Sequence, residues 1–356
     1  MARLSIPRTL LDPPPPFPQL LEREFMATYL ITGVAGFIGS ALARAVLAQG
    51  DQVRGVDNFA TGRPENLQGI RDLIDFHQID ILDLHAMQQA CRGVDYVLHE
   101  AAIPSVPKSI FDPLGNNGTN VDGTVNVLVA ARDAAVRRVI FAASSAAYGD
   151  SPIVPKREDM VPNPISPYAA AKLAGEYYMS SFYRCYGLET VSLRYFNIFG
   201  PRQDPGSPYS GVLAKFITQM LLQEQPTIFG DGETSRDFTY VDDAVRANLL
   251  ACQAPAARVV GRVFNVATGR SKTLNDTFRI LKKITGYDGE PRYDAERAGD
   301  VKHSVADISQ ARKYLGYRPR FDFERGLKIT VGWYEQRLPL WRQGPARNSC
   351  GLGSHP

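Results

Sequence analysis

Apolar and polar positions follow two rhythms along this chain. Short, nearly continuous apolar runs recur at 29–32, 53–56, 74–79, 94–99, 139–143 and 190–193. Between most of them the apolar residues fall at helical spacing, as with Ala41, Leu42, Val46 and Leu47 before Gly50. Runs of the first kind suit strands buried on both faces, and strands alternating with helices predict βαβ units in a mostly parallel sheet.

After Gly200 the texture changes to Pro- and Gly-rich turns around a predicted helix at 212–222, where a smaller lobe is expected to begin. A further strand is predicted at 263–267, placed to return to the sheet, and helices at 274–284 and 308–315. Residues 1–25 carry a proline run, Pro13 to Pro16 and then Pro18, and read as an extended arm, with Met26 opening the compact fold. Residues 344–356 lack apolar periodicity and read as a frayed tail. The expected division is therefore 1–25 arm, 26–200 first domain with the returning strand, 201–343 lobe and 344–356 tail, with no internal repeat.

Composition narrows the class. The 356 residues are 44% hydrophobic and 22% charged, which excludes a disordered, collagenous or disulfide-scaffold chain. Forty Lys and Arg against 37 Asp and Glu give +3, too balanced for a nucleic-acid footprint, so no nucleic-acid partner is expected. Cys91, Cys185, Cys252 and Cys350 show no ligand spacing, and the five histidines no metal pattern, so no metal is expected. Every apolar run is broken by polar residues before membrane-span length, and the first residues lack a secretory pattern. A reducing cytoplasm and no membrane partner are the resulting expectations.

Three groups of residues carry chemistry. Gly33, Gly36 and Gly39 fall between a predicted strand and a predicted helix, where absent side chains allow a tight turn and a close approach to a pyrophosphate. Such a triplet also serves plain close packing, but Asp57 ends the next strand, where a carboxylate can accept hydrogen bonds from an adenosine ribose. Its charge repels a 2′-phosphate and so favours NAD over NADP. Tyr168 and Lys172 stand at i,i+4 on a predicted helix after Pro167. An ammonium about 4 Å from the phenol, at an effective dielectric constant of about 20, would favour phenolate by about 4 kcal/mol, or about three pKa units. That expectation makes Tyr168 a general base, with Ser144, at the end of a buried-looking strand, orienting the substrate hydroxyl.

These residues sit in longer motifs: GVAGFIG at 33–39, AASSAAYG at 142–149, SPYAAAKL at 166–173, RYFNIFGPRQDP at 194–205 and GDGETSRDFTYVDD at 230–243. Together they resemble the extended short-chain dehydrogenase/reductases and, within them, the NAD-dependent nucleotide-sugar 4-epimerases. The resemblance runs over about residues 27–343 and implies an α/β fold, a doubly wound Rossmann-type parallel sheet with a smaller C-terminal substrate-binding lobe. It also implies a homodimer formed through a helix pair, one helix carrying Tyr168 and Lys172. On the cofactor side it assigns the pyrophosphate to Gly33, Gly36, Phe37, Ile38 and Gly39, and the adenosine ribose to Asp57, Asn58, Thr61 and Gly62. Adenine falls to Asp80 and Ile81, the middle of NAD to Ala101, Ala102 and Asn120, and catalysis to Ser144, Tyr168 and Lys172. UDP-sugar contacts fall to Asn197, Val212, Phe229, Arg236, Arg297 and Asp300, with Ser105, Ser144, Ser145, Gln203, Gly211 and Ser304 about the sugar.

Within that family the position matching Ser304 is a gatekeeper, where a small residue admits a C2 N-acetyl group. DNFATG at 57–62, RQDP at 202–205 and RAGDVKHS at 297–304 look closest to UDP-N-acetylglucosamine 4-epimerases, with UDP-glucose as a further substrate. Pro104 departs from the pattern, standing where a glycine is expected. Dehydratases and decarboxylases of this scaffold place an acid just after the catalytic serine or threonine, and here Ser145 holds that place. UDP-glucuronate 4-epimerases share most of the motifs and stay an alternative.

Overall fold

The computed structural model describes residues 26–204, 211–296 and 302–337. The predicted arm at 1–25 and tail at 344–356 lie outside them.

Six strands, β1 (Thr28–Thr32), β2 (Gln52–Val56), β3 (Asp75–His77), β4 (Tyr96–His99), β5 (Arg138–Ser144) and β6 (Glu189–Tyr195), join a seventh, Arg262–Val266, in one sheet. From one edge the order is Arg262–Val266, β6, β5, β4, β1, β2, β3, and every neighbouring pair is parallel. The intervening helices are α1 (Phe37–Ala48), α2 (Leu84–Ala90), α3 (Val106–Phe111), α4 (Pro113–Asn117), α5 (Gly123–Asp133) and α6 (Pro167–Tyr186). Successive β1 residues feed opposite cores: Tyr29 and Ile31 pack into one, Leu30 into the other. Both faces of the sheet are therefore covered, which is why its strands read as continuous apolar runs.

Strand order reverses between β1 and β4, and in a doubly wound sheet ligands bind outside the carboxyl ends of the strands at that switch. In register, Thr32 lies beside Val56 on one side and His99 on the other. Gly33, Asp57 and Glu100 therefore leave their strands at one rim, with Ser144 ending β5 nearby.

The chain leaves the sheet after β6, builds α7 (Val212–Leu221) and α8 (Val241–Gln253), and returns at Arg262–Val266 beside β6. Arg138, fully buried at the start of β5, binds the carbonyls of Ala251, Cys252 and Ala254 at the end of α8 and the carboxylate of Glu189. A guanidinium there satisfies carbonyls that a helix end leaves without partners. In the lobe, strand Ser235–Asp237 lies between Ser271–Thr273 and His303–Ser304. The buried Asp237 carboxylate accepts hydrogen bonds from the backbone of Thr268, Gly269 and Ala306 and so ties the lobe to the residues after the returning strand.

Among the described residues no helix is long and apolar enough to cross a membrane.

Candidate active site

The glycine turn is dictated by contact. Gly33 has φ +70°, and a Cβ there would stand 2.8 Å from the Ala101 backbone nitrogen. A Cβ on Gly39 would lie 2.1 Å from the Gly33 carbonyl oxygen, so the first turn of α1 fits against β1 only without a side chain. Gly36 precedes α1 as its cap without offering a side-chain acceptor, and the first turn, with Phe37 and Ile38, holds no acid. The amide groups at that helix end are left to an outside anion, as a pyrophosphate site requires.

Asp57 directs one carboxylate oxygen to the Ala35 amide at 2.9 Å and the other to the Phe59 amide at 2.7 Å. A Cβ on Gly62 would come within 2.7 Å of that carboxylate, so Gly62 and Thr61 pass close over it. Burial raises the carboxyl pKa, against the pull of these two amides. Asn58 binds Asp80 at 2.8 Å, joining the two rim segments. These features fit an adenosine-bearing dinucleotide.

Other expected cofactor residues act through the backbone. Asn120 accepts from the Ile103 amide at 2.8 Å and donates to the Ile103 carbonyl, holding the segment that follows Ala101 and Ala102. Ile81 is buried with its side chain over Gly123. Ser105 is also buried, its hydroxyl capping α3 through the Lys108 amide.

Ser144, Tyr168 and Lys172 converge. The Ser144 hydroxyl accepts from the Ala146 amide at 3.1 Å and lies close enough to the Tyr168 phenol to pull its pKa down. Ser166 caps α6 through the Ala169 amide, placing Tyr168 in the first turn and Lys172 one turn on. The Lys172 ammonium donates to the Ala142 carbonyl at 2.8 Å and lies 4.8 Å from the centre of the Phe141 ring. Ser145 opens the short turn that follows β5.

One expectation is corrected. The Lys172 charge was expected to hold Tyr168 well below the ordinary phenol range, and the protein's own groups instead raise it. Burial is the main cause; Ser144 works against it and the Glu100 carboxylate with it. The ammonium is committed to Ala142, and burial lowers Lys172 itself to about 8, with Glu100 and Glu176 opposing the fall.

The same region holds a polar chain that the motifs do not announce. Asn248 donates to the Tyr195 oxygen and Tyr195 to Glu100, each at 2.7 Å. Burial pushes Glu100 up to about 7. His99 is buried between the hydroxyls of Thr32 at 2.8 Å and Thr124 at 3.0 Å, and burial beside Lys172 lowers it to about 3. An acid placed directly after a buried strand was the available signal for Glu100.

A cavity of about 250 Å³ in the lobe gathers Asn197, Gln203, Gly211, Val212, Phe229 and Arg236 on its wall. A Cβ on Gly211 would stand 3.8 Å from Gln203 Nε2, so packing does not demand glycine there and its smallness leaves open space. Ser304 lies in register beside Arg236. Pro104 is exposed, while Arg297 and Asp300 lie outside the described residues.

A doubly wound sheet with a glycine turn at its switch point defines a dinucleotide-binding protein. The chain belongs to the NAD dependent epimerase/dehydratase family, whose pattern matches residues 29–267, and it is an NAD-dependent enzyme. A UDP-glucose 4-epimerase of Mycolicibacterium smegmatis is 38% identical over 312 residues, 86% of this chain and 98% of that protein. The crystal structure of Thermotoga maritima UDP-glucose 4-epimerase with UDP-glucose is 42% identical, with a TM-score of 0.83 over 87% of this chain and 99% of its own. A UDP-N-acetylglucosamine 4-epimerase from Methanobrevibacter ruminantium, in complex with UDP-N-acetylmuramic acid, is 40% identical, with a TM-score of 0.84 over 88% of this chain and 99% of its own.

Proposed function

We propose that the protein reversibly inverts C4 of a UDP-sugar, chiefly the UDP-N-acetylglucosamine and UDP-N-acetylgalactosamine pair, with UDP-glucose and UDP-galactose as a second pair. The observation that carries this reading is the convergence at the rim of the sheet of Ser144, ending β5, with Tyr168 in the first turn of α6 and Lys172 one helical turn on. Residues 26–200 would hold the cofactor and 201–343 the UDP-sugar.

Tyr168 Oη takes the proton of the C4 hydroxyl and later returns it, while Ser144 Oγ holds the C4 oxygen in line. Lys172, fixed by the Ala142 carbonyl, would supply a positive charge one helical turn from Tyr168. NAD supplies a hydride acceptor and donor and, in its oxidised form, a positive charge that offsets the raised phenol. Arg236 grips the diphosphate, since a guanidinium pairs with phosphate oxygens through two parallel hydrogen bonds. With the nucleotide held, the 4-keto sugar turns and presents its other face, and no net oxidation results. Small residues at Gly211 and Ser304 leave room for a C2 N-acetyl group. Arg236 is the only cation among the described residues lining the cavity.

Incubation with UDP-N-acetylglucosamine, UDP-glucose and UDP-glucuronate in turn, with NAD present, tests the reading. C4 epimers are expected from the first two, and the reading fails if neither forms.

The protein is further proposed to form a homodimer across α6. Phe111, 90% exposed, and Leu114, 84% exposed, stand with Ile110 on α3 and α4, which pack against α6, and α6 itself carries the exposed Tyr177. Light scattering should return twice the chain mass, and substitution of Phe111 and Leu114 by Glu should return the single chain.

A further inference from the structure

Beside the substrate cavity lies a larger one of about 810 Å³. Phe238 belongs to both walls, so the two cavities stand one ring apart. The walls of the larger cavity carry Arg270 from the loop after the returning strand, Lys272 from strand Ser271–Thr273, Arg312 from helix Ser309–Leu315, and Arg318 and Arg320 from the segment before helix Phe323–Glu335.

This concentration of charge is only partly neutralised from within. Among the described residues the side chains of Arg270, Lys272, Arg318 and Arg320 make no ion pair and no hydrogen bond, and Arg312 acts on Asp307 and Tyr317 only through space. Two acids line the cavity and offset part of that charge. Asp322 caps its helix through the Arg325 amide at 2.8 Å, and Glu324 pairs with Lys328 at 2.8 Å. The repulsion reaches the neighbouring Arg246, which burial and then Arg320 hold below the usual guanidinium range. Half-buried rings form part of the wall: Phe323 stacks on Phe238 at 5.1 Å and Phe321 lies 4.5 Å from Tyr240. A concave surface of net positive charge beside apolar rings draws a counter-ion, and guanidinium forks match phosphate oxygens.

We propose that this cavity is a second anion site, separate from the substrate cavity, that binds a small polyphosphate, either free or as the phosphate chain of a nucleotide. The volume suits an occupant of that size, since small-molecule sites commonly span about 300–1,000 Å³. The site does not rest on the substrate assigned above.

The test is calorimetric titration of the NAD-loaded, full-length protein with inorganic tripolyphosphate, and separately with ATP, in saturating UDP. Sub-millimolar binding is expected, weakened at least about tenfold in Arg318→Gln/Arg320→Gln and again in Arg270→Gln/Lys272→Gln. Arg236→Gln, which removes a cation of the substrate cavity only, should leave this binding intact. Equal affinity for both probes identifies the phosphate chain as the recognised group, and tighter ATP binding adds the base on the phenylalanine rings. Absence of heat with both probes overturns the proposal. So does unchanged binding in both double variants, each checked for folding by its thermal transition, or loss of binding in Arg236→Gln.

Discussion

Tyr195 donates its phenolic hydrogen to Glu100 across 2.7 Å, and that carboxylate presses on both Tyr168 and Lys172 through its charge. Glu100 enters from the end of β4, Tyr195 from the end of β6, and the strand between them, β5, ends in Ser144. The acid raises the affinity of phenol and ammonium alike for their protons.

Glu100→Gln keeps an acceptor for Tyr195 and removes the charge. The phenol should then ionise more readily, and the rising limb of kcat/KM against pH should move to lower pH. A limb left where the parent enzyme has it would show that Glu100 does not set the ionisation of Tyr168.

Tyr168→Phe removes the proposed base while retaining the ring. Turnover should fall by about 10²- to 10⁴-fold, with NAD still released in full amount on denaturation. Undiminished turnover would take the proton-transfer role away from this residue.

Gly39→Ala would drive a methyl group to 2.1 Å from a backbone carbonyl that cannot rotate aside. A loss of about 1–3 kcal/mol of stability is expected, with weaker NAD retention. Denaturant midpoints and NAD content after gel filtration measure both.

His99 predicts acid sensitivity with a definite sign. Its folded pKa of about 3 lies below the ordinary 6.5, so the unfolded chain binds a proton that the folded one refuses. Stability from this group is full above pH 6.5 and falls as pH drops toward 3, by up to about 1.4 kcal/mol per unit. Thermal midpoints of His99→Gln should decline less steeply over that window, and parallel curves would exclude His99 as the source.

Ser304→Tyr fills space beside Arg236. Efficiency on UDP-N-acetylglucosamine should drop on the order of tenfold or more, with UDP-glucose affected less. Equal losses on the two sugars would remove Ser304 as the discriminating residue.

Much of the sheet was legible in the sequence because strands covered on both faces leave unbroken apolar runs, and β1, β2 and β5 stand within a residue of their predicted limits. The helix after Pro167 was equally plain, from its Ser166 cap and the Tyr168 and Lys172 spacing. That spacing fixes a helix face but not what else competes for an ammonium, so the carbonyl of Ala142 and the effect of burial were hidden. The chain from Asn248 through Tyr195 to Glu100 joins three distant stretches and has no local pattern. Lobe strands such as Thr239–Tyr240 and His303–Ser304 have two residues each, too short to display a period.

The return of the chain at Arg262–Val266 makes residues 196–261 an excursion anchored at both ends on the same edge of the sheet. A fragment stopped after Gly200 would strip β6 of its outer neighbour, expose a row of unpaired amides and carbonyls, and leave Arg138 without the three carbonyls it binds. The nucleotide half thus depends on residues synthesised after it, and dissection of this protein calls for shortening the excursion rather than cutting the chain.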